Sequence, residues 1–219
     1  MIEKIKKRFP FLSRMKSSFM IARKSRILIK NKDQFLHRLC KFFDNNNYTY
    51  WLEYGTMLGA VRDHKIISHD YDIDISILQN EWTLSIRKEL AKMNIFLIKE
   101  FRVDGEVIEE TYDFNGINLD IFYSKLINNN LMTPIFRPFD NFNWKESIQK
   151  YGGVELYYFI NEFDGFISID LESLKMKIPK NYHSHLISYY GDNYMIPIPN
   201  WKGENDAIPQ KKVGSIIYR

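Results

Sequence analysis

Residues 72 to 78, DIDISIL, alternate polar and apolar positions without a break. That period of two is the mark of a half-buried β-strand. Ile73, Ile75 and Ile77 then face a core, while Asp72, Asp74 and Ser76 face the other way. Upstream, DQFLHRLCKFFD (33–44) places Phe35, Leu36, Leu39, Phe42 and Phe43 on one helical face. YTYWLEY (48–54) reads as an aromatic strand, broken by Gly55-Thr56, and MLGAVRDH (57–64) as a short helix. Beyond the acidic strand, EWTLSIRKELAKM (81–93) fits a helix. Three strands follow at 94–103, 106–114 and 117–123, joined by Asp104-Gly105 and Asn115-Gly116, dipeptides suited to tight antiparallel turns. The pattern weakens after residue 125. It recovers in IPKNYHSHLISYYG (178–191), where Pro179 is expected to start a helix and Gly191 to end it. This order predicts an α/β (α+β) fold, a mixed sheet flanked by helices.

Composition narrows the function classes. The chain has 219 residues, 45% hydrophobic and 16% aromatic, so a folded core is expected. One cysteine, Cys40, excludes an internal disulfide and a cysteine-cluster zinc site, and suits a reducing compartment. Formal net charge is +4, unevenly placed. Residues 1–32 hold eleven Lys or Arg against Glu3, a net of +10, which leaves −6 for the remainder. The organisation expected is a basic arm at 1–32, a folded domain at 33–199 and a surface-wrapping tail at 200–219. The arm carries apolar residues (Phe9, Phe11, Leu12, Met15, Phe19, Met20) broken by charges, so it is neither a signal peptide nor a membrane span. It suits peripheral contact with an anionic membrane surface. Nucleic acid is the disfavoured partner, and an arm with no dedicated partner is the simplest alternative.

The chemistry centres on SHDYDIDIS (68–76). Two carboxylates at i and i+2 on one strand face lie roughly 7 Å apart, too far to share a proton and suited to clamping a hard cation. Asp70 joins them if the strand starts early. INLDIFY (117–123) carries Asp120 on a second alternating strand, and if that strand lies beside 72–78 three acids converge. Such a set around Mg²⁺ or Mn²⁺ serves displacement at phosphorus. Exposed acids on an edge strand are the alternative. Gly55 and Thr56 at a strand-to-helix turn, with Arg62 and His64 following, supply donors for a phosphate.

WLEYGTMLGAVR, DYDID, LDIF and IPKNYHSHLISYYGD, spread over about residues 48–199, resemble the signature of LicD-type phosphotransferases, a family that includes bacterial phosphocholine transferases and fukutin-related proteins. The resemblance implies a nucleotidyltransferase-superfamily fold with a polymerase-β-like core. In that core a glycine-hydroxyl turn (Gly55, Thr56) cradles phosphate, a strand pair (Asp72, Asp74) binds metal, and a third acid (Asp120) completes the site. It also implies a nucleotide-activated donor, a CDP-alcohol, and a glycan or lipid-linked glycan acceptor; the cysteine usage and basic arm add the expectation of a cytoplasmic protein, peripheral at the inner membrane surface. Asp120 would act as general base and Arg62 would offset transition-state charge. The acidic cluster departs from the family's pattern at His69 and Tyr71, where relatives carry tryptophan and aspartate, which leaves Asp70 the least defined of the acids. The alternatives are nucleotidyl transfer to a protein, sugar or small molecule, and a non-catalytic nucleotide- or glycan-binding module.

Overall fold

The structure, a computed structural model, describes residues 10–198 and 206–219. Residues 1–9 of the basic leader and 200–205 of the tail lie outside the described residues. Helix α1 (Pro10–Asn45) runs through position 32 without a break. Its second half lays Leu28, Phe35, Leu36, Leu39, Phe42 and Phe43 into the core. There follow β1 (Tyr50–Leu52), α2 (Tyr54–Asp63), β2 (Asp72–Leu78), α3 (Leu84–Lys92), β3 (Phe96–Val103), β4 (Glu106–Phe114) and β5 (Ile117–Ile127). The chain continues through β6 (Asn130–Arg137), α4 (Trp144–Tyr151), β7 (Val154–Glu162), β8 (Phe166–Leu171), β9 (Leu174–Pro179), α5 (Tyr182–Tyr190) and β10 (Ile208–Tyr218).

The mixed sheet with helices is as expected from the sequence, and the isoleucines of β2 are fully buried. Both anticipated turns form. Asp104-Gly105 and Asn115-Gly116 have positive φ at each residue, the geometry of a two-residue hairpin turn. The second fixes the β4–β5 register, pairing Phe114 with Ile117 and Thr111 with Asp120.

The sheet differs from the expectation in closing on itself. Strand order is β1-β2-β5-β4-β3-β10-β7-β6, and β6 pairs back onto β5. Two long strands make the corners. The first part of β5 lies between β2 and β4, and Lys125–Ile127 turn to β6. In β10, Ile208–Gly214 pair with β7 and Ser215–Tyr218 with β3. Gly214 stands at that switch, where a β-carbon would lie 2.3 Å from the Phe136 ring. Phe101, Val103, Ile108, Phe136, Val154, Leu156 and Tyr158 form a second, smaller core. The tail thus supplies a sheet strand rather than a surface wrap. Backbone groups of β3 and β7 need partners, and β10 provides them.

Other boundaries move for local reasons. α2 begins at Tyr54 and takes Gly55 and Thr56 into its first turn. Pro179 ends β9 instead of starting a helix, and α5 starts at Tyr182. No described helix is long and apolar enough to cross a membrane. Cys40 is partly buried on α1, its thiol directed at Met176 Sδ at 3.2 Å, and burial raises its pKa.

Candidate functional site

β2 and β5 run parallel with Asp74 directly opposite Asp120 and Asp72 opposite Asn118. Neighbouring strands are about 4.8 Å apart, so side chains paired in register on one face meet. Asp72, Asp74 and Asp120 each present a carboxylate oxygen within 4.8 Å of the other two. The expected convergence of three acids is therefore present.

The α2 turn secures this group. The Gly55 N–H donates to Asp74 Oδ2 at 3.2 Å, and the Asp74 N–H donates to Thr56 Oγ1 at 2.8 Å. A β-carbon at Gly55 would sit 3.2 Å from Asp70 Oδ2 and 3.4 Å from Asp74 Oδ2, so glycine makes the close packing of acids against the helix start feasible. Asp70 lies in the loop ahead of β2, beside Gly55 but outside the three-oxygen set. Below the turn, Glu53 is wholly buried. It accepts from Trp51 Nε1 (2.9 Å), Ser76 Oγ (2.8 Å) and the Tyr189 hydroxyl (2.9 Å). Burial pushes its pKa to about 6 against the pull of those donors. Tyr54 opens α2 with φ of 39°, an unusual value for a bulky residue. Its ring is held edge-on to Phe122 and its hydroxyl donates to the Pro134 carbonyl at 2.7 Å.

The electrostatics are those of crowded, desolvated acids. Asp72 is raised to about 7, first by burial, then by repulsion from Asp120 and Asp70. Burial and its three acidic neighbours push Asp74 well up. Asp120 is also raised by burial, against the Thr111 hydroxyl and the Lys99 and Lys24 ammonium groups. Asp120 Oδ1 is buried without a hydrogen-bond partner. Crowded, half-buried acids and an orphaned carboxylate oxygen are costly alone and suit a hard dication, which accepts carboxylate oxygens and reverses the repulsion. The donor set fits one.

The remaining predicted residues divide. Arg62 lines a cleft of about 390 Å³ with Gly55, Leu58, His69, Asp70 and Tyr190. The Arg62 and His69 charges pull the Asp70 pKa down while burial, the larger effect, raises it. His64 is not brought to the acids. It caps the far end of α2, exposed, with φ of 55°, and its carbonyl accepts from the Glu172 N–H. A larger hollow of about 720 Å³ at the other end of β2 contains none of the acids.

Sequence reasoning missed two neighbours. Glu109 on β4 is buried and raised to about 8, by burial first and then by Asp120, with Lys99 Nζ 4.0 Å away. The Asn115-Gly116 turn carried the signal, because its register places Glu109 on the face of Asp120. The second is Lys24 on α1, whose Nζ donates to Asn118 Oδ1 at 3.1 Å. No local pattern predicts that contact.

The three converging acids and the glycine turn beside them form a candidate metal centre. The family description "LicD/FKTN/FKRP, nucleotidyltransferase domain" matches residues 47–181, and the chain belongs to this family. It is similar to the ribitol-5-phosphate transferase FKTN of Mus musculus, 22% identical over 173 residues that cover 78% of this chain and 35% of the mouse protein. The human FKTN is 20% identical over the same shares. The chain thus spans about a third of the length of these curated relatives. Among solved structures, the lincosamide antibiotic adenylyltransferase LnuA, lincomycin-bound, matches with a TM-score of 0.42 and 15% identity, covering 74% of this chain and 91% of that one.

Proposed function

We propose that this protein is a metal-dependent phosphotransferase that moves a substituted phosphate, such as a polyol phosphate or phosphocholine, from a CDP-activated donor to a glycan hydroxyl. The convergence of Asp72, Asp74 and Asp120 carries the reading. Family membership and the similarity to a ribitol-5-phosphate transferase support the donor and acceptor classes. Parallel β2 and β5 with a glycine turn leading into α2 agree with a polymerase-β-like core whose outer strands have closed into a ring.

Asp72, Asp74 and Asp120 would hold Mg²⁺ or Mn²⁺, with Asp70 beside them. A bound cation supplies neutralisation of charge on the donor phosphates. Gly55 and Thr56 hold Asp74 in position at the turn where the donor phosphate would approach the metal. Arg62, at the edge of the neighbouring cleft, offsets charge on the transferred group. Asp120 takes the proton of the acceptor hydroxyl. His64, at the far end of α2, has no part in this. The exposed Phe19, Met20 and Ile21 beside Arg23 and Arg26 on α1 favour a lipid-linked acceptor at a membrane surface.

Product analysis tests the reading. Incubation with CDP-choline or CDP-polyols, a glycan acceptor and Mg²⁺ is expected to release CMP, and Asp74→Asn to abolish release. Pyrophosphate formed from CTP or ATP would instead mark nucleotidyl transfer. CMP release unaffected by Asp74→Asn would overturn the assignment.

A further inference from the structure

We infer that Lys24 is a donor-diphosphate-binding residue, delivered to the acidic site by the N-terminal helix. Lys24 lies outside the family-matched segment, in a stretch the sequence presents as a detached basic arm. The inference rests on the nucleotide-donor reading above.

The helix is fastened on both sides of the site. Leu28, one turn beyond Lys24 and on the same face, is fully buried. Ile27 closes on the β4–β5 turn, where a β-carbon on Gly116 would meet its Cδ1 at 3.3 Å. Ser25 Oγ donates to the Ser68 carbonyl at 2.8 Å, just ahead of Asp70. Lys24 therefore stands over the start of β5. Asn118, its partner, pairs in register with Asp72 and precedes Asp120 by two on the same strand face. The ammonium is thus held at Asn118, beside Asp72 across the register and two positions before Asp120 along the strand.

The cations around the cluster come from different elements. Arg62 on α2 and His69 in the loop act on Asp70. Lys99 on β3 acts on Asp120 and Glu109. Lys24 on α1 is anchored at Asn118, next to both Asp72 and Asp120. A lysine head group has three donors, and Asn118 takes one. Its flexible four-carbon stem lets the charge move from Asn118 to a phosphate oxygen. A lysine beside a dication site is unfavourable for the bare cation, since like charges repel. It becomes favourable when a diphosphate lies between them.

That sign reversal provides the test. The full chain and its Lys24→Met, Lys24→Gln and Lys24→Arg variants are titrated calorimetrically with Mn²⁺ alone and with CDP in saturating Mg²⁺, alongside thermal melts. Lys24→Met and Lys24→Gln are expected to bind bare Mn²⁺ more tightly yet CDP about tenfold or more weakly, the scale of a lost charged hydrogen bond. Donor KM rises in parallel, and Lys24→Arg restores most of the affinity. A tether to Asn118 alone would be satisfied by glutamine and would move both ligands in one direction. Wild-type CDP affinity in Lys24→Gln, or weaker binding of both ligands, overturns the inference. Absence of CDP binding and of CMP release in the wild type overturns the donor reading itself.

Discussion

Asp72→Asn should make the metal-free protein more stable at neutral pH while removing its response to metal. Asp72 titrates normally near 3.8 and is held at about 7 in the fold, so its ionised form disfavours folding by about 4 kcal/mol. A carboxyl with a raised pKa leaves full stability below its unfolded value and removes it as pH climbs to the folded one. The wild type therefore loses stability between about pH 4 and pH 7, and asparagine, which never ionises, does not. For a chain of this length 4 kcal/mol corresponds to about 10 °C in Tm. Scanning calorimetry with EDTA from pH 4.5 to 8 should show the variant melting higher at pH 7.5, with the gap closing towards pH 4.5. Mg²⁺ at about 100 times its Kd should raise the wild type by about 3 kcal/mol and leave the variant nearly unmoved. Equal melting at pH 7.5, or a gap that persists undiminished at pH 4.5, would refute the account of crowded acids awaiting a cation.

Three further outcomes follow from the packing. Gly55→Ala forces Asp70 and Asp74 oxygens aside by a few tenths of an ångström, so CMP release should fall at least about tenfold with Tm nearly unchanged; turnover close to wild type would count against it. Glu53→Ala leaves the Trp51 indole N–H buried without an acceptor and reduces Tyr189 and Ser76 to their longer contacts with Thr133 and Ser124, and should cost about 2–3 kcal/mol in urea denaturation. Gly214→Ala drives a methyl into the Phe136 ring at the point where β10 changes partners, and should destabilise by about 1–3 kcal/mol, read from the same denaturation curves.

What could be read from the sequence tracks how local each signal is. β2 was legible to the residue because Asp and Ile alternate without interruption, and the β4–β5 hairpin because Asn115-Gly116 dictates both turn and register. The three acids followed from those two strands. Residues 125–175 resisted for mixed reasons: β8 does alternate from Ile167 to Leu171 and was passed over, whereas β6 and β7 break the pattern. β6 contains Pro134, and β7 buries residues on both faces. α4 did carry a signal that was passed over, the reciprocal Asn143–Glu146 capping box, whose spacing precedes no apolar run. β10 was hidden for another reason. Its pattern is interrupted by an irregularity between Pro209 and Val213, and its partners β3 and β7 are distant in sequence. Lys24 is the extreme case, since only the tertiary placement of a helix brings it to Asn118.

The closing strand also sets the order in which the molecule can be made. Ser215 pairs with Arg102, so β3 leaves the ribosome long before its neighbour exists. At ordinary synthesis rates of about 5–20 residues per second, that edge stays open for roughly 5–20 s. β7 waits with it, and open edges recruit strands from other chains. Lys99 and Arg102 on the waiting strand place charge along that edge, a guard against pairing with the wrong partner. Ring closure over so long a loop is expected to be the slow step of folding. A chain interrupted before residue 208 would keep both edges open, and its fate would be aggregation rather than a shortened fold.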